Sequence, residues 1–204
     1  MRRSRRPLHP SEKPRAKGAL KTDPLILVNA THPLPFDWEP EDLVDLWEQQ
    51  PRHFLLPKRR ELLVRVAFEA ANRMFAEAEA VGFTDFEVRS CYRDAARQAA
   101  LFNDDPSSNL VARPGQSEHQ TGLAMDVGTW HGPFLGEHNK THRDWITEHC
   151  CDYGFIVRYP AGHEDVTDVP AEPWHLRYVG REPALQMRRR GWVLEEWHDA
   201  SPHI

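Results

Sequence analysis

Only one segment of this chain carries a helix-spaced apolar stripe long enough to back a whole domain, and every other apolar run is strand-sized. Between Arg59 and Ala80, Leu62, Val66, Ala70, Met74 and Ala78 recur every four residues, with Leu63, Ala67, Ala71 and Phe75 beside them. This spacing predicts a helix with a face wide enough for a core. Val81-Gly82-Phe83 closes it, with Gly82 suited to the left-handed cap position. Leu25–Val28, Phe86–Ser90, Leu123–Val127, Gly154–Pro160 and His175–Val179 read as short strands. Glu41–Gln49, Asp94–Asn103, Asn139–Tyr153 and Glu182–Arg190 read as further helices, and Asp104–Gln116 as a loop. Strands and helices that do not alternate regularly predict an α+β domain, with a small central antiparallel sheet flanked by helices, and argue against a doubly wound parallel sheet.

At 204 residues the chain suffices for one well-buried domain. No window approaches the roughly 18 to 20 apolar residues of a membrane span, so no integral membrane segment is expected. Residues 1–22 carry eight Lys/Arg against Glu12 alone, a net +7, which leaves −12 on the body of a chain whose total is −5. The basic start lacks the apolar stretch of a secretion signal and reads as a disordered tail, with contact to anionic lipid or polymer as the other reading. The domain then runs over residues 23–204, and the part from about 191, with Trp192 and Trp197, is expected to pack back onto it. Cys91, Cys150 and Cys151 fit no disulfide or Cys-x-x-Cys pattern and read as buried thiols. No nucleic-acid partner is expected.

The candidate chemistry lies in two places. In Ser117-Glu118-His119-Gln120-Thr121-Gly122-Leu123-Ala124-Met125-Asp126, His119 and Asp126 stand seven apart, with Gly122 allowing a turn between them. Glu172-Pro173-Trp174-His175 adds a second imidazole and a second carboxylate. Two histidines and an aspartate fill three corners of a zinc tetrahedron and leave one position for water, an arrangement that suits catalysis. An ideal strand sends residues three apart to opposite faces, so Glu172 and His175 share a cleft only if the chain twists or bulges near Pro173. The plainer alternative makes Glu172 a solvated loop carboxylate and His175 a hydrogen-bonded core residue. His138 and His142, four apart, lack the following Glu of a His-Glu-x-x-His motif and read as an exposed polar face. Arg93 sits where a strand gives way to a helix, and by itself reads as a structural salt bridge.

Five blocks in order resemble the zinc D-alanyl-D-alanine carboxypeptidases of the VanY type, within the group that includes VanX dipeptidases, L,D-carboxypeptidases and phage peptidoglycan endopeptidases. They are Leu27-Val28-Asn29 with Pro33-Leu34-Pro35; Ser90-Cys91-Tyr92-Arg93 with Gln98; Arg113 to Asp126; Tyr153 to Pro160; and Glu172 to Gly180. The resemblance covers about residues 25–185 and implies a Hedgehog/DD-peptidase-like fold. It implies one Zn2+ per chain on His119, Asp126 and His175, and Glu172 as the base that takes a proton from the attacking water and passes it to the leaving amine. It further implies that Arg93 polarises the scissile carbonyl, and that Gln98, Ser117, Tyr159 and Trp174 line the substrate cleft. The expected partner is a peptidoglycan stem peptide or precursor that loses its C-terminal D-Ala.

Two departures from the family stand near the site, and the second bears on substrate preference. Cys91 stands where relatives often have glycine, and Asp94-Ala95-Ala96-Arg97 replaces a stretch with serine and aromatic residues. An L,D-carboxypeptidase or an endopeptidase with the same zinc site remains an alternative, as does a non-catalytic metal-containing binding module. Cellular location stays open between action on cytoplasmic precursors or recycled fragments, export by an unrecognised route, and a Met1 that is misplaced or engineered.

Overall fold

The computed structural model describes residues 22–200 apart from Asn109. The expected disordered tail lies outside the described residues, apart from Thr22. Strand β1 (Leu43–Asp45) pairs antiparallel with β2 (Leu62–Val64), which runs directly into α1 (Arg65–Ala80). Then follow β3 (Phe86–Ser90), α2 (Ala95–Asp104), a 3-10 turn (Glu118–Thr121), β4 (Ala124–Thr129), the short β5 (Gly132–Pro133) and α3 (Lys140–His149). The chain continues through β6 (Phe155–Tyr159), the single turn α4 (Glu164–Thr167), β7 (Glu172–Tyr178), α5 (Arg181–Arg190) and α6 (Leu194–Ala200). The main sheet is antiparallel throughout, in the order β3-β4-β7-β6, with β5 also on β4. This is the α+β architecture read from the sequence.

The sheet has two unlike faces. Val88, Val127, Met125 and Leu176 are fully buried and join the core cluster with Ala67, Ala70, Ala71, Met74, Phe75 and Ala78 of α1. Removing that much apolar surface from water is the dominant stabilisation, at about 25 cal/mol per Å². Phe75 links this layer to Phe54 and Phe86, with ring centroids 5.3 and 5.2 Å away. The alternate positions Asp126, His175 and Arg177 lie on the opposite face. Trp192 and Trp197 pack against the core from the C-terminal segment, as expected, and the three cysteines are buried free thiols. None of the described helices is long and apolar enough to cross a membrane.

Several local expectations need correction. Leu25–Val28 is not a strand: the Arg177 Nη2 atom donates to the carbonyls of Pro24 and Ile26 at 3.1 and 2.7 Å, so a side chain takes the place of a ladder. Glu41–Gln49 forms β1 and a turn instead of a helix. The Trp47 amide donates to Asp45 Oδ1 at 2.9 Å, and the Leu46 amide to the Glu61 carbonyl at 2.9 Å. The same pairing takes Leu62–Val64 out of the long helix, which starts at Arg65, six residues later than the expected start at Arg59. His142 is not on an exposed face. Its Nε2 lies 2.7 Å from Asp85 Oδ1, and its ring meets Phe83 and Phe86 edge-on.

Gly122 ends the 3-10 turn with φ +67°, and a Cβ there would lie 2.9 Å from Leu43 Cδ2 and 3.1 Å from Val64 Cγ2. Gly122→Ala should therefore cost about 1–3 kcal/mol through strain and overpacking. Thermal denaturation should show the melting temperature lowered by about 2–4 °C per kcal/mol; an unchanged transition would contradict the close packing of this turn.

Candidate active site

Three elements deliver three donor atoms to one point. The 3-10 turn carries His119, β4 carries Asp126, and β7 carries His175 directly opposite Asp126 in the ladder. His119 Nε2 lies 3.4 Å from Asp126 Oδ2, and His175 Nδ1 lies 3.3 Å from Asp126 Oδ1. Bonds of about 2.1 Å at a tetrahedral angle would set donors about 3.4 Å apart, so these residues fit zinc. One atom from each of the three lies within 4.8 Å of the others. Asp126 Oδ1 is buried with no hydrogen-bond partner among the described residues, as a carboxylate oxygen waiting for a cation should be.

The ring of His119 is held from behind. Its Nδ1 lies 2.7 Å from the Cys91 carbonyl, which can only accept, so the proton sits on Nδ1 and the Nε2 lone pair faces Asp126. The Cys91 peptide is itself fixed, because its amide donates to the buried Glu61 Oε2 at 2.8 Å. Burial depresses the His119 pKa more than the nearby Asp126 raises it, and the ring is neutral. His175 behaves oppositely. Burial opposes its charge, but the carboxylates of Asp126 and Glu118 on either side of the ring prevail and push it up to about 9 in the metal-free protein. Burial likewise opposes ionisation of Asp126, yet His119 and His175 hold its carboxyl well below the usual range.

Glu172 starts β7 opposite Tyr159, with Oε2 3.5 Å from His175 Nδ1. The β6–β7 register shifts between Val157 and Tyr159, so β7 contains the irregularity that the spacing of Glu172 and His175 required. Pro173, which has no N–H to give to a ladder, sits within it. Burial, with Asp126 assisting, raises the Glu172 pKa to about 7 against the lowering effects of His175 and Arg93. Arg93, between β3 and α2, donates from its backbone N to the His119 carbonyl at 3.1 Å, and its Nη2 lies 3.4 Å from Ser117 Oγ.

A cleft of about 620 Å³ brings the three donors together with Arg93, Ser117, Tyr159, Glu172 and Trp174. Tyr159 sets its ring 5.1 Å from that of His175, and burial pushes its hydroxyl well above the usual phenol range. Gln98 is placed differently from the expectation. It does not line the cleft but is 1% exposed behind Arg93, accepting from Arg93 Nε at 2.6 Å while donating to the Ala112 carbonyl at 2.6 Å. It faces inward because Ala95 and Gln98, one turn apart, form the buried side of α2.

The sequence reading missed the charges beneath the site. Glu118 Oε1 accepts from Arg158 Nε and Arg177 Nη1, both at 2.7 Å, and all three side chains are fully buried. Arg158 also donates to Glu195 of α6 at 2.8 and 2.6 Å. Burial opposes ionisation of Glu118, but the two guanidiniums keep its carboxyl far below the usual range. A signal was present: an arginine at a strand position flanked by apolar residues, as in Ile156-Val157-Arg158-Tyr159, requires a buried partner.

Residues 60–181 match the family model described as VanY: D-alanyl-D-alanine carboxypeptidase. The chain belongs to this family. It is thereby a peptidase of the carboxypeptidase type, and relatives bear the VanY assignment out. A putative carboxypeptidase, YodJ, of Bacillus subtilis (strain 168) is 37% identical over 185 residues, spanning 86% of this chain and 67% of its own. The solved structure of the LdcB LD-carboxypeptidase matches with TM-score 0.78 and 33% identity, covering 93% of this chain and 94% of that one. A mutant of the D,D-pentapeptidase VanY from a VanB-type resistance cassette, solved in complex with Zn(II), matches with TM-score 0.67 and 30% identity, covering 85% and 98%.

In the metal-free protein the Glu172 carboxyl should titrate near 7, well above the ordinary value of about 4.3. Side-chain carboxyl 13C shifts followed against pH will show this. An ordinary midpoint would mean that the cleft does not desolvate Glu172.

Proposed function

We propose that this VanY-family protein is a zinc-dependent D-alanyl-D-alanine carboxypeptidase that removes the C-terminal D-Ala of peptidoglycan stem peptides or their precursors. The observation that carries the reading is the convergence of His119, Asp126 and His175 with Glu172 and Arg93 in one cleft. The three donors hold one Zn2+, which when bound acidifies a water and polarises a carbonyl. Glu172, raised towards neutrality and reaching the donor cluster at His175, accepts the proton of the attacking water and returns it to the departing D-Ala amine. The Arg93 guanidinium, held on one edge by Gln98 and near Ser117, faces the charge that grows on the scissile carbonyl oxygen. Because Gln98 fixes Arg93 in advance, little reorganisation accompanies the charge development. Ser117, Tyr159 and Trp174 form walls against which the stem peptide is oriented, and Tyr159 remains a hydrogen-bond donor throughout neutral pH.

An L,D-carboxypeptidase acting on tetrapeptide stems is the second reading, supported by the likeness to the LdcB LD-carboxypeptidase. Both readings share the same chemistry and differ in how the cleft wall receives the penultimate residue. A binding module is disfavoured, since recognition alone does not need a buried, raised carboxyl beside the metal donors.

Defined pentapeptide and tetrapeptide stems, incubated with and without a chelator and weighed by mass spectrometry, distinguish the readings. The expected product is free D-Ala and tetrapeptide from the pentapeptide, abolished by the chelator; release of D-Ala from the tetrapeptide alone would replace the D,D assignment with the L,D one. Glu172→Ala should retain zinc while losing about 10²–10⁴-fold in turnover. Since Glu172 must be ionised to act, kcat/KM should fall as pH drops, with its acid limb between the ordinary carboxylate range and about 7. A rate independent of pH across that interval would remove Glu172 as the base.

A further inference from the structure

Beneath the donor cluster, two buried polar atoms face each other. Glu118 Oε2 and His175 Nε2 are 3.6 Å apart, and each lacks a hydrogen-bond partner among the described residues. The other oxygen of Glu118 is fully engaged, since both arginines donate to Oε1. We infer that Glu118 is a positioning residue for the metal: its Oε2 receives the Nε2 proton of His175 and thereby presents the Nδ1 lone pair to the site. This rests on the reading of His175 as a zinc ligand.

The chemistry of the neighbours supports this assignment. A metal-bound imidazole has one nitrogen for the metal and one N–H to place, and a carboxylate is the partner that fixes its orientation most firmly. His119 meets this need through the Cys91 carbonyl. His175 has Asp126 and Glu172 on its Nδ1 side and Glu118 on its Nε2 side. A lone buried carboxylate would take up a proton and lose its acceptor strength, but Arg158 and Arg177 keep Glu118 ionised. Glu195 in turn balances the second positive charge, so the four side chains carry no net charge as a set. Glutamine cannot replace Glu118. With one acceptor and one donor end, it must point its amide N–H groups either at the two arginines or at the His175 N–H.

The test begins with the zinc-loaded wild-type protein. Long-range 1H–15N spectra should show the His175 ring proton on Nε2 and protected from exchange; a proton on Nδ1 would overturn the inference. Zinc affinity measured by competition with a chromogenic chelator should then fall about 10- to 100-fold in Glu118→Gln. Glu195→Gln, which weakens the ion network from the far side of Arg158, should lower the melting temperature yet leave zinc affinity within about twofold of wild type. Equal losses in the two variants, or a folded Glu118→Gln protein that binds zinc as tightly as wild type, would reduce Glu118 to a structural charge. Should Glu118→Gln not fold, the wild-type spectrum decides. Failure of the wild-type protein to bind zinc would instead defeat the metal reading of the three donors.

Discussion

Asp126 stands opposite His175 across the β4–β7 ladder, and the site depends on that one register. Side chains alternate between faces along a strand, so a slip of one residue would send Asp126 to the α1 side and bring Met125 or Val127 into the cleft. The slip is prevented by burial, because Met125, Val127 and Leu176 are completely enclosed with the face of α1 and would have to enter a polar layer together. The apolar core therefore acts on the chemistry at a distance. It does not touch the donors, yet it fixes which side chains can be donors.

The same sheet solves a second problem on its polar face. Arg158 and Arg177 are fully enclosed, and a buried ion pair is a poor source of stability because both partners lose their hydration. Removing one partner would nevertheless cost about 3–5 kcal/mol, since the other would remain buried and unpaired. Their positions fit a structural tie better than a gain in stability. Arg177 draws the carbonyls of Pro24 and Ile26 onto the sheet, and Arg158 binds α6 through Glu195, which also accepts from Asn29. The N-terminal segment and the C-terminal helix are thus both anchored to charges that converge on Glu118, one residue before His119.

The sequence was most legible where the determinant is local, as at α1, β3, α2 and β6, whose apolar spacing or flanking glycine and proline mark them. It was also legible where chemistry restricts residue type. His119, Asp126, Glu172 and His175 were singled out and lie together, and the three-residue spacing of the last two required the irregularity found in β7. Legibility failed where a distant partner decided the outcome. Leu62–Val64 continues a helical stripe yet pairs with β1, and Leu25–Val28 has strand composition but gives its carbonyl partners to Arg177. Gln98 shows the same limit within the site. A glutamine one turn into a helix can face substrate or neighbour, and only the approach of the Ala112 carbonyl and the Arg93 side chain places it behind the guanidinium.

The unlike ionisation of the two histidines follows from what lies behind each ring. His119 has a neutral peptide carbonyl at its back, so burial prevails and the ring is neutral, ready to donate a lone pair. His175 lies between Asp126 and Glu118, so without metal it keeps a proton up to about pH 9. That proton neutralises the negative charge of the donor cluster, and a divalent cation bound as proposed would have to displace it from Nδ1. Metal binding there would thus be coupled to proton release, and over neutral pH it would strengthen as the pH rises. The exchange also bears on Glu172. Two positive charges then stand where one stood, so its carboxyl loses its proton more readily than in the metal-free cleft. A cation on the proposed donor set would thereby convert Glu172 to the form able to accept a proton.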